Sequence, residues 1–108
     1  MYSSFPQMAA NKKLRQNFIS SAIEMIQKFG FDGLDVDWEY PNRGNTVHGK
    51  EDIQNLSQLL KELREEFDKH NLTLSAAVSS VEAMASLSYN ISAISQYVFY
   101  LLTIRTFL

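Results

Sequence analysis

The chain has 108 residues, 10 Lys+Arg against 12 Asp+Glu, 45% hydrophobic residues and no cysteine, so it is one domain or part of one and requires a core, which excludes disorder. A formal net charge of −2 gives no electrostatic footprint for nucleic acid, because phosphate binding needs clustered Lys and Arg. Without cysteine there is no disulfide, thiolate zinc site or cysteine nucleophile.

The first ten residues lack the basic start and apolar block of a signal peptide. From Asn11 to Phe29, Leu14, Phe18, Ile23, Ile26 and Phe29 recur at spacings of three to five, close to the 3.6-residue period of an amphipathic helix. Asn11 suits the N-cap and Gly30 the left-handed residue that ends the helix. Lys12, Lys13 and Arg15 read as a solvated face of that helix, and Met25 as helix filling. Phe31 to Tyr40 alternates Leu34, Val36 and Trp38 with Asp35, Asp37 and Glu39, a period of two that predicts a strand, and Pro41 stops it. Asn42 to Gly49 is a loop rich in Asn and Gly. A second helix begins near Lys50, with Ile53, Leu56, Leu59, Leu60, Leu63 and Phe67 on one face, and ends near His70 and Asn71.

Leu72 to Ser79 is a short, largely apolar strand of the kind found in parallel sheets. A weaker helix over Ala83 to Gln96 and a strand over Tyr97 to Ile104 complete the chain. No run reaches the roughly 18 residues of a membrane-spanning helix; the run near the end, Val98 to Leu102, is far shorter. The order helix, strand, helix, strand, helix, strand argues for right-handed βαβ units and an α/β fold with a parallel sheet, either doubly wound or a (β/α)8 barrel. A barrel takes typically about 250 residues, so three helix–strand units are a part of one. A three-stranded parallel sheet alone would leave its edges unpaired and one face bare.

The chemistry lies in the strand. Asp35, Asp37 and Glu39 share one face, while Leu34, Val36 and Trp38 suit packing beneath helices, which turns the acids toward a barrel interior and makes a free edge an unexpected place for this strand. Glu39 falls at the strand's C-terminal end, where parallel α/β folds place their active sites. Like charges this close cannot all ionise comfortably, so one carboxyl of such a row stays protonated near neutral pH and can act as a general acid. Protonation of a glycosidic oxygen needs such an acid. A Mg²⁺ or Ca²⁺ site is the rival reading, but same-face positions about 6.5–7 Å apart present a line of oxygens rather than a cage. No metal or cofactor is expected.

The segment Phe31-Asp32-Gly33-Leu34-Asp35-Val36-Asp37-Trp38-Glu39-Tyr40-Pro41 closely resembles the D-x-x-D-x-D-x-E signature of glycoside hydrolase family 18, the chitinases and chitinase-like proteins. The resemblance runs from about Met8 to Tyr97 and includes the helix around Leu59 to Arg64 and the Leu74 to Val78 strand. It implies part of the single catalytic (β/α)8 barrel of that family, here residues 1–108. It also implies hydrolysis of β-1,4 bonds in chitin or N-acetylglucosamine oligosaccharides with retention through substrate assistance. By position, Glu39 would be the general acid and later the base. Asp37 would orient the acetamido group that attacks the anomeric carbon, and Asp35 would sit behind Asp37. Tyr40 would line the sugar site and Trp38 would contribute to it or to the core, while Asp32 would be structural.

The resemblance implies a secreted enzyme, monomeric at full length, with no nucleic-acid or membrane partner. The family's upstream Ser-x-Gly-Gly strand does not occur, and Val98 to Arg105 does not match its Met-x-Tyr-Asp pattern, so a truncated chain without turnover is expected. A non-catalytic chitin-binding lectin or growth-factor-like protein is the second reading; the presence of Glu39 favours the hydrolase. Sequons at Asn55, Asn71 and Asn90 agree with secretion, although Asn55, inside a helix, is expected to stay unmodified.

Overall fold

The structure is a computed structural model and describes residues 4–37, 49–79, 90, 96–97 and 100–104. Its elements are α1 (Ser4–Ala9), α2 (Lys12–Phe29), β1 (Gly33–Asp37), α3 (Glu51–Asp68), β2 (Thr73–Ser79) and β3 (Tyr100–Ile104). The helix expected over 83–96 and the loop over 42–48 lie outside the described residues. The strand expected from Phe31 to Tyr40 is observed as Gly33–Asp37, with Trp38, Glu39 and Tyr40 outside. The last strand is shorter than expected, because Tyr97 lies in a turn.

The three strands form one parallel sheet in the order β1-β2-β3. Among the described residues β1 therefore stands at an edge, against the expectation for this strand, because its one neighbour is β2. Leu34, Val36, Leu74 and Ala76 turn toward α2 and α3, and the last three are buried. The opposite face carries Asp35 and Asp37, both exposed, and the half-buried Ser75. Among the described residues, one face is thus covered by helices and the other carries exposed carboxylates.

The α2 boundaries follow from its caps. The Asn11 side chain accepts a hydrogen bond from the Leu14 N–H at 3.0 Å, satisfying one of the orphan donors of the first turn. Gly30 ends the helix at φ 71°, and the Phe31 N–H reaches back to the Ile26 carbonyl at 3.0 Å, the six-to-one bond of a Schellman motif. In α3, Glu51 and Asp52 occupy the first turn, where carboxylates complement the helix dipole. The same six-to-one closure recurs after α3, where Leu72 N–H donates to the Phe67 carbonyl at 3.0 Å and Asn71 takes φ 55°.

Leu59, Leu60, Leu63, Phe67 and Leu74 have no exposed surface. Each such side chain contributes about 1.5–3 kcal/mol by leaving water, so the face of α3 that the sequence predicts is the main wall of the core. The face of α2 differs from expectation: Ile19 and Ile26 are buried and Phe18 and Ile23 partly so, whereas Leu14 and Phe29 are exposed. Leu14 lies about a third of a helix turn from the Ile19–Ile26 stripe. Phe29, on the last helical residue, stacks instead on Phe31 with centroids 5.9 Å apart. Met25 is 56% exposed and fills no core.

Two further features depart from the sequence reading. Residues 4–9 form a short helix that tolerates Pro6 because proline lacks an N–H and a donor in the first turn would have no helical partner; Phe5 of this helix meets Phe18 edge-on at 6.1 Å. Arg15 is not part of a solvated face but is buried. Its Nε donates to Glu62 at 2.9 Å and its Nη1 to the Ala9 carbonyl at 2.8 Å, so one guanidinium ties α1, α2 and α3 together.

Candidate active site

The site is organised by the pairing of β1 with β2. The register sets Gly33 against Thr73, Asp35 against Ser75 and Asp37 against Ala77. Side chains alternate across a strand, so Leu34 and Val36 anchor β1 to the core and force Asp35 and Asp37 onto the other face. That placement matches the direction expected for the acid row. The enclosing interior is not formed by the described residues, and both carboxylates meet solvent.

Asp35 is held from the neighbouring strand: the Ser75 hydroxyl donates to its Oδ1 at 2.8 Å. A hydroxyl aimed at one carboxylate oxygen fixes the side chain's rotation. Ser75 was not among the residues read from the sequence. The one signal available was its place in Thr73-Leu74-Ser75-Ala76 as a polar residue flanked by buried ones, and its partner depends on a register that spans 40 positions.

Gly33 explains a further letter of the motif. A Cβ there would fall inside the Thr73 carbonyl group, with the carbon at 2.6 Å and Cα at 2.9 Å from it. The backbones approach so closely because the Thr73 N–H donates to the Asp32 carbonyl at 2.8 Å, and only glycine fits. Asp32 thus contributes through its main chain, while its side chain is exposed.

Of the five site residues expected from the sequence, the structure brings Asp35 and Asp37 to one face; Trp38, Glu39 and Tyr40 lie outside the described residues. His70 is exposed, with its ring Nδ1 3.3 Å from Gln27 Nε2, and His48 is outside. Among the described residues no group of three His, Cys, Asp or Glu side chains could hold a metal ion, and no helix is long and apolar enough to cross a membrane.

Glu62 shows how charge is managed behind the sheet. Burial pushes its carboxyl up, but hydrogen bonds from Arg15 and Gln58 and the charges of Arg15 and Lys12 outweigh that and leave it below the ordinary value of 4.5. The contact is therefore an ion pair that joins α2 to α3 within the helix layer.

Residues 2–107 match the family described as Glycosyl hydrolases family 18. The chain is 40% identical over 100 residues to Probable chitinase 2 of Drosophila melanogaster, covering 92% of this chain and 20% of that protein. It is 37% identical over 97 residues to Chitotriosidase-1 of Mus musculus, covering 85% and 21%. Among solved structures, the Group IV chitinase of Ostrinia furnacalis in complex with allosamidin aligns with a TM-score of 0.90 at 54% identity, over 92% of this chain and 26% of that one. The chain spans about a fifth of the length of these two curated relatives. Its helices and parallel strands are part of the (β/α)8 architecture of these chitinase domains. Motif, sheet geometry and similarity agree, and the chain belongs to the glycosyl hydrolases of family 18.

Proposed function

We propose that this chain carries the acid row of a chitinase that hydrolyses β-1,4 bonds between N-acetylglucosamine units with retention, by substrate assistance, and that residues 1–108 are part of one catalytic domain. The observation that carries the reading is the pair Asp35 and Asp37 on the face of a parallel strand opposite the helices. They precede Glu39 at a spacing of two. Glu39 protonates the leaving glycosidic oxygen and then, as its conjugate base, takes a proton from the attacking water. Asp37 hydrogen-bonds the acetamido N–H and aims its carbonyl oxygen at the anomeric carbon, where the bond to the leaving group breaks as an oxazolinium ion forms. Asp35, held by Ser75, stands behind Asp37 and takes part in its proton balance. Tyr40 lines the sugar site, with Trp38 beside it.

The protein acts outside the cell and as a monomer in its complete form. Support for a sugar ligand comes from the related structures, one with allosamidin and another, the Ostrinia furnacalis Group II chitinase catalytic domain 2, with a chito-oligosaccharide. The 108-residue chain alone does not turn over substrate, because a barrel site needs loops from several strands.

The test compares the chain with a barrel-length protein containing it, on a chromogenic chito-oligosaccharide. Only the longer protein releases product, and Glu39→Gln abolishes release while leaving oligosaccharide binding. Turnover by the 108-residue chain, lost in its Glu39→Gln variant, would overturn the claim that the chain alone is inactive. A barrel-length protein that binds but never releases product would overturn the hydrolase reading in favour of a lectin.

A further inference from the structure

The three sequons, at Asn55, Asn71 and Asn90, stand in different places in the fold. Asn55 lies within α3, half-buried, and its Nδ2 is buried with no hydrogen-bond partner among the described residues. A glycan on that nitrogen would need the packed face of α3 to lift from its neighbours. Asn90 is exposed, but Ile91 and Ser92 of its sequon lie outside the described residues.

Asn71 is placed differently. It is exposed and occupies the left-handed position of the turn from α3 into β2, at φ 55°, a conformation Asn accepts more readily than most residues. The turn is closed by main-chain bonds, His70 N–H and Leu72 N–H both reaching the Phe67 carbonyl at 3.1 and 3.0 Å. No bond that closes the turn uses the Asn71 side-chain amide, which is therefore available for covalent extension. Thr73, which completes the sequon, opens β2 and is anchored through its own N–H to the Asp32 carbonyl. The site is at the N-terminal end of the sheet. Asp37 ends β1 at the opposite, C-terminal end, so a bulky sugar on Asn71 would stand clear of the acid row.

We propose that Asn71 is an N-glycan acceptor. The proposal rests on the extracellular reading of the protein, since the donor, a lipid-linked pyrophosphoryl oligosaccharide, is met in the secretory pathway. In the transfer, Asn71 Nδ2 forms a bond to C1 of the donor's first sugar and the C1–O bond to pyrophosphate breaks. The lipid pyrophosphate leaves with the bonding electrons, and one amide proton passes to a base of the transferase.

The experiment delivers the full chain, behind a cleavable leader, into the lumen of microsomes, and maps occupancy after peptide N-glycosidase F in ¹⁸O-water by mass spectrometry, which separates position 71 from 55 and 90. Asn71 is labelled in most molecules, Asn55 is not, and both Asn71→Gln and Thr73→Val remove the label at 71. An unlabelled Asn71 in luminal chains would overturn the proposal, as would equal labelling at Asn55. Labelling at Asn71 in the leader-borne chain, alongside an intracellular location for the native protein, would support the acceptor assignment and overturn the extracellular reading.

Discussion

Gly33→Ala tests whether the motif's glycine is there for the sheet. A Cβ at 33 lies within 3 Å of three Thr73 backbone atoms, and a strand backbone cannot move aside as a flexible side chain can. Relieving the overlap means parting β1 from β2 at the register pair Gly33 and Thr73. Overpacking of this kind costs about 1–3 kcal/mol, and stretching the 2.8 Å bond from Thr73 N–H to Asp32 adds about 1 kcal/mol. The expected destabilisation is about 2–4 kcal/mol, at the upper end of ordinary point mutations. Urea denaturation followed by far-ultraviolet circular dichroism measures it, and hydrogen exchange at the Thr73 amide reports the local opening directly. A loss below about 0.5 kcal/mol, the scale of an ordinary surface substitution, with unchanged Thr73 protection, would refute the close-approach argument.

Other consequences can be checked alongside. In a barrel-length protein, Ser75→Ala lowers kcat roughly tenfold, the worth of one hydrogen bond to a charged group at about 1.5 kcal/mol, with KM little changed, and Ser75→Thr restores most of it; steady-state kinetics decide. The folded Glu62 carboxyl lies below its ordinary value of 4.5, so it is easier to protonate in the unfolded chain than in the folded one. Its contribution to stability is complete above that ordinary value and disappears as pH falls through the lower folded one. Glu62→Gln should therefore lower stability at neutral pH and flatten its decline below pH 4.5, as pH-dependent urea titrations would show. Phe67 has no exposed surface, and Phe67→Ala should cost about 3–5 kcal/mol through the cavity it leaves, read from the same denaturation curves.

What could be read from the sequence was local. Asn11 and Gly30 mark the ends of α2 because capping bonds span three or four residues, and the alternation of Leu34 and Val36 with Asp35 and Asp37 is fixed by the pleat alone. Features that depend on distant partners were hidden. Arg15 looks like one more surface cation until Glu62, 47 positions on, arrives beside it. Ser75 looks like a small strand residue until the β1–β2 register puts it opposite Asp35. The exposure of Leu14 and Phe29 was hidden for the same reason, since periodicity gives a helix a stripe but not which edge of it meets the sheet.

The exposure of Asp35 and Asp37 bears on the chemistry proposed for their face of the sheet. While Asp35 and Asp37 are exposed, water solvates both carboxylates, and the Ser75 hydroxyl adds little to Asp35 beyond what a water molecule would supply. Enclosing that face within a complete barrel removes the water, and an ionised carboxylate then needs hydrogen bonds from the protein itself. The same 2.8 Å contact gains weight as the local dielectric falls. A hydroxyl that is nearly neutral for the stability of this open segment can therefore matter to turnover in a closed site. Ser75→Ala separates the two settings: little change in the stability of the 108-residue chain, and a measurable loss of kcat where the face is covered.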